Sequence, residues 1–137
     1  MRNKICIALC FGIFLTTPLH AEVAVIVHPS NQQNLSEIDI KNLFSGKQKS
    51  FPDGNTAIVL SLPEGDSHLS AFNSKVLGKT DSQIKAYWSK VMFTGKGTPP
   101  KDVSQDEMLK LVAENPNTIG IVDASKATNS VRIIGKY

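Results

Sequence analysis

Three short runs of β-branched and aliphatic residues constrain this chain most. Glu22 to His28 reads EVAVIVH, Thr56 to Leu62 reads TAIVLSL, and Thr118 to Asp123 reads TIGIVD. A strand with one face in water alternates apolar and polar residues. A run without that alternation marks a strand covered on both faces, as in parallel sheets sandwiched between helices. Val131 to Ile134 predicts a short fourth strand near the C-terminus.

Between these runs the apolar period lengthens to that of helices. A helix is predicted over Leu35 to Phe44, capped by Ser36, with Asp39 three residues on and Leu35 and Ile40 as the staple pair. Pro52 to Asn55 is a turn. Pro63-Glu64-Gly65 breaks the second strand, and Asp66 or Ser67 caps a helix that places Leu69, Phe72, Val76 and Leu77 on one face before Gly78 ends it. Thr80 to Gln83 is a capping box for a helix bearing Ile84, Tyr87, Trp88, Val91 and Met92. Phe93 to Lys101, FTGKGTPPK, is a loop. Ser104 to Glu107 is a further capping box, with Val103 and Met108 as its staple, and Asn115-Pro116 stops that helix. Strands joined by helical crossovers predict an α/β layer fold.

The N-terminus predicts export. Met1 to Lys4 carries Arg2 and Lys4, Ile5 to Leu15 is apolar, and Thr16 to Ala21 is polar and short-chained. That is the order of a secretory signal, and the apolar run is about half of the roughly 20 residues a membrane span needs. Cleavage after Ala21 leaves 137 − 21 = 116 residues, the size of one domain. Lysine plus arginine then falls from 15 to 13 against 12 acids, a net charge of +1. That balance excludes the basic footprint of a nucleic-acid binder. Cys6 and Cys10 both lie in the signal, so residues 22–137 carry no thiol. The expected location is the periplasm.

The order of motifs resembles a known family. A strand VAVIVHPSN leads to Leu35-Ser36 opening a helix and to LFSGK at Leu43 to Lys47. Pro52-Asp53-Gly54, a strand, and a Gly-Asp-Ser turn into a helix containing Phe72 follow. Then come Tyr87-Trp88, FTGKGTPP, and NPNTIGIVD at Asn115 to Asp123. Together these resemble the periplasmic phosphate-binding, substrate-binding proteins of ABC transporters, and most closely their short stand-alone members. The resemblance implies a three-layer single lobe of a type II periplasmic-binding-protein-like fold, with a mostly parallel sheet flanked by helices. The match corresponds to the second lobe of a two-lobed protein that holds its anion between the lobes, so this chain would supply half a cleft. In the family's phosphate binders an arginine, three residues and then Ser-Gly-Thr open the helix. Those positions fall here on Leu62 and on Asp66, Ser67 and His68.

Ligands of open α/β sheets bind beyond the carboxyl ends of the strands. Pro29 to Asn34, Glu64 to His68 and Asp123 to Ser125 follow three strands and are expected at that edge. The candidate ligand-binding residues are therefore Gly65, Asp66, Ser67, His68, His28, Ser30 and Asn31. The start of a helix attracts anions through its free N–H groups. Its dipole contributes only about 0.3–1 kcal/mol, whereas millimolar binding needs about 4 kcal/mol. Phosphate or another small oxyanion is the expected ligand, and a homodimer or second protein would complete the half-cleft. An ABC permease or a membrane sensor is the expected partner.

The alternative is an interaction module that has lost its ligand and docks to a sensor or another exported protein, through an apolar patch near Phe51 or Thr98 to Pro100. No catalytic role is expected. Asp66-Ser67-His68 are consecutive, whereas triad members converge from separated positions, and there is no G-x-S-x-G or H-E-x-x-H sequence. No metal or other cofactor is expected. Tyr87 and Trp88 are expected in the core, with a stacking platform as the alternative.

Overall fold

The computed structural model describes residues 12–13 and 22–137. The signal-peptide reading, with its cleavage site, lies outside the described residues except at 12–13. Among the described residues no helix is long and apolar enough to cross a membrane.

Five strands form one sheet: β1 (Val23–Val27), β2 (Ile58–Ser61), β3 (Lys101–Asp102), β4 (Thr118–Asp123) and β5 (Arg132–Lys136), in the order β3-β2-β4-β1-β5. Helices α1 (Glu37–Phe44), α2 (Ser67–Phe72), α3 (Asp81–Phe93) and α4 (Gln105–Glu114) flank it. This is the expected α/β single-domain architecture. All five β1 residues are buried. Because successive side chains point to opposite faces, both faces of this strand are covered. The helices α2 and α4 each touch both β1 and β4.

Strand direction departs from the expectation at one place. β2 runs parallel to β3 and to β4, but β1 is antiparallel to both β4 and β5. Four strands thus share a direction and β1 opposes them. Its unbroken apolar run reported burial on two faces, which an antiparallel strand in the middle of a sheet shares with a parallel one. β3 begins at Lys101, where the sequence predicts the end of a loop; two residues after Pro99-Pro100 carry no periodicity to mark a strand. β5 extends past Ile134 to Lys136, held by Ala24 and Val25 of β1 across a bulge at Val25/Ile26. At this edge Val23 and Tyr137 exchange both backbone bonds, at 3.0 and 2.9 Å.

The helix starts follow their caps. Ser36 with Asp39 and Thr80 with Gln83 form complete capping boxes. At α4 only half is present: the Ser104 hydroxyl accepts from the Glu107 N–H at 3.2 Å. The predicted helix from Asp66 to Gly78 is α in its first six residues and widens to a π-type turn over Asn73–Leu77. Asn73 is buried there, and its Nδ2 donates to Asp81 Oδ1 at 3.0 Å. The same carboxylate accepts from the Ser70 hydroxyl. These two bonds tie α2 and the turn to the start of α3, and they hold the Asp81 carboxyl below its ordinary pKa.

Phe72 sits at the centre of the core, 1% exposed, with its ring 4.7 Å from that of Phe44. Phe51 is also buried, so it belongs to the core and not to a surface patch. Trp88 is buried as expected, and Tyr87 donates its hydroxyl to the Ser45 carbonyl at 2.6 Å. Gly46 turns back over Trp88 with φ +73°, and a Cβ there would lie 2.9 Å from the indole. A Phe72→Ala substitution is expected to cost about 3–5 kcal/mol, measured by urea unfolding. That is a large share of the stability of a domain this size.

Candidate functional site

β2, β3 and β4 end at the same end of the sheet, and the segments that follow them converge there. After β2 the chain turns at Gly65, whose φ of +91° is open to glycine and strained for other residues. Asp66 then caps α2: its Oδ1 accepts from the N–H groups of His68 at 2.8 Å and Leu69 at 3.4 Å. After β3, Gln105 opens α4 and spans the gap. Its Nε2 donates to Asp66 Oδ2 at 3.3 Å, and its Oε1 accepts from the Asp123 N–H at 2.7 Å. After β4, Asp123 Oδ1 accepts from the Ser125 N–H and hydroxyl at 2.9 and 2.8 Å.

His68 lies between two carboxylates. Its Nδ1 is 3.3 Å from Asp66 Oδ1 and its Nε2 is 3.3 Å from Asp123 Oδ2, and all three side chains are a quarter exposed or less. The hydrogen bonds from Ser125, helped by the charges of His68 and Lys126, hold the Asp123 carboxyl below its ordinary pKa. Ser67 is exposed beside this cluster.

This arrangement has two chemical consequences. A triad base needs one ring nitrogen on a nucleophile and the other on an acid. Both nitrogens of His68 face carboxylates, which leaves none for a hydroxyl proton. Second, two of the amides at the start of α2 that would meet an anion, those of His68 and Leu69, are already bonded to Asp66. Position 62, where the resemblance puts an arginine, is a fully buried leucine. Among the described residues no group of three or more His, Cys, Asp or Glu side chains is placed to hold a metal ion.

The remaining candidates lie elsewhere. Val23 pairs with Asp123 and Val27 with Ile119, so the end of β1 points away from the end of β4. His28, Ser30 and Asn31 therefore sit at the opposite end of the sheet from Gly65 to His68, and the expected single edge is split in two. There the Ser30 hydroxyl lies 2.7 Å from His28 Nδ1, and the Ser30 N–H donates to the same nitrogen at 3.0 Å. Asn31 is buried; its carbonyl accepts from Arg132 at 2.8 Å. Ser30 and Asn31 line an open cleft of about 360 Å³ together with Asp53, Asn55 and Asn117.

Sequence reasoning missed Gln105 as a site residue. Its place in a Ser-x-x-Glu pattern reads as helix capping, and only the unseen strand β3 brings it beside Asp66 and Asp123.

No protein-family model matches the chain, and no curated protein matches it in sequence. Solved structures do match in fold. A protein described as a phosphate ABC transporter substrate-binding protein, with bound phosphate, from Clostridium perfringens superposes with a TM-score of 0.63 at 22% identity. It covers 83% of this chain, which in turn covers 45% of it. An ABC-type phosphate transport receptor from Vibrio cholerae gives a TM-score of 0.64 at 16% identity, over 83% of this chain and 46% of its own. PstS from Borrelia burgdorferi gives 0.61 at 15%, over 84% and 47%. The chain thus has the fold of part of ABC-transporter substrate-binding proteins and spans under half the length of these structures.

Asp66→Ala is expected to cost about 0.5–2 kcal/mol in urea unfolding, because the α2 cap is lost, whereas Asp66→Asn keeps an acceptor and stays near the wild type. Asp123 gives a pH test. Its carboxyl is lowered on folding, so its contribution is present above the ordinary value of 3.8 and is lost as pH falls through the folded pKa. Ser125→Ala is expected to move the Asp123 midpoint back towards 3.8, followed by the carboxyl carbon shift in NMR.

Proposed function

We propose that this domain is an exported binding module of the substrate-binding-protein fold. It works by contact with another protein, a membrane sensor or ABC permease, and does not itself capture phosphate. The observation that carries this reading is the Asp66 carboxylate at the start of α2. It takes the His68 and Leu69 amides and, with Asp123, sets two carboxylates around the His68 ring. A helix dipole worth about 0.3–1 kcal/mol does not offset that repulsion. The buried Leu62 adds no charge in compensation. The export signal read at residues 1–21 supports a periplasmic location, where membrane proteins present their outer domains.

A second reading keeps the oxyanion. The Clostridium perfringens protein carries bound phosphate, and this chain matches 45% of its length. A second copy or another protein would then supply the missing half of the cleft, with Ser67 and His68 as this chain's donors. His28, Ser30 and Asn31 would serve a separate cleft, since they lie at the other end of the sheet.

Calorimetry on residues 22–137, with sulfate as control and the oligomeric state recorded in the same buffer, separates the two. No heat at millimolar phosphate is expected. Micromolar binding accompanied by dimerisation, and lost in Ser67→Ala/His68→Ala, would overturn the first reading in favour of the second.

A further inference from the structure

On the side of the domain where α1 meets α3, two clefts share Trp88. The smaller, about 50 Å³, has Lys41, Lys47 and Lys79 around Tyr87 and Trp88. The larger, about 400 Å³, runs from Gly46 to Pro99 and Pro100, with Lys49 and Lys101 on its rim. No aspartate or glutamate lines either cleft. Among the described residues none of these five lysines lies within 4 Å of a carboxylate. The distribution is not a by-product of overall charge. Residues 22–137 carry 13 basic against 12 acidic side chains, so five unopposed lysines in one place are a local segregation.

We propose that the paired clefts at Trp88 dock an acidic segment of a partner protein, with its carboxylates on the lysines and an apolar side chain against Trp88, Pro99 and Pro100. This rests on the reading that the domain works through protein contacts, and it names the chemistry of the partner. Lysine is a point charge on a flexible stem, suited to carboxylates at variable spacing. All five lysines are exposed around recesses, and a projecting chain segment can seat an apolar side chain in those recesses while its carboxylates meet the lysines, which a flat bilayer surface does not do. The lysines are divided between two clefts that share Trp88, three around the smaller and two at the larger. Oppositely charged faces chiefly raise the association rate and exclude wrong partners, which suits a reversible contact between a diffusing protein and a membrane-bound one.

Trp88 is the only tryptophan of the chain, so its fluorescence reports on both clefts directly. The probe is a synthetic peptide of six glutamates around one leucine, with the lysine counterpart as control and phosphatidylglycerol vesicles as a third ligand. The expected result is a saturable change with the glutamate peptide at sub-millimolar concentration, none with the lysine peptide, and weakening as salt rises. Lys49→Glu/Lys101→Glu should weaken binding about tenfold or more, while Lys126→Glu, beside Asp123, should leave it unchanged. No saturable response, an equal loss in Lys126→Glu, or tighter binding to vesicles than to peptide overturns the proposal. If the peptide fails while phosphate also gives no heat, the acidic partner is excluded and the protein-contact reading stands. If phosphate binds at micromolar concentration while the peptide fails, both readings fall.

Discussion

The burial of β1 is the constraint on which the rest depends. Its five residues lie between β4 and β5, with no side chain reaching water. Removing about 25 cal/mol of unfavourable hydration per Å² of apolar surface on both faces at once requires helices on each side of the sheet. The helices α2 and α4 meet that requirement, and their starts are carried to the end of the sheet where β2, β3 and β4 finish. The Asp66, His68, Gln105 and Asp123 cluster is therefore a product of how the central strand is covered.

At that cluster the chain's own side chain satisfies the start of α2: Asp66 Oδ1 accepts from the His68 and Leu69 amides, so those two donors are already bonded. Meanwhile the lysines gather around Trp88, in clefts that none of the cluster's side chains line.

Much of this was legible in the sequence. The strand cores, Ser36 and Thr80 as caps, and Trp88 as a core residue follow from local pattern, because capping and two-sided burial are properties of neighbouring residues. The direction of β1 was not legible, since VAVIV describes burial and is indifferent to the sense of the strand. That single ambiguity placed His28 and Ser30 beside His68, when the fold puts them at opposite ends of the sheet. Gln105 was hidden for a related reason: its partners Asp66 and Asp123 are 39 and 18 residues away in the chain. Phe51 was misplaced because an isolated aromatic before a Pro-Asp-Gly turn gives no period by which burial can be judged.

The reversed strand has one more consequence. Because β1 runs against β4 and β5 runs back alongside β1, residues 23 and 137 are bonded neighbours at one corner of the sheet. Two strand ends held together in this way could be joined by a short linker and the chain reopened in a loop elsewhere with the core left in place, so this corner marks where the fold tolerates a change of connectivity while Trp88 and the clefts around it stay as they are.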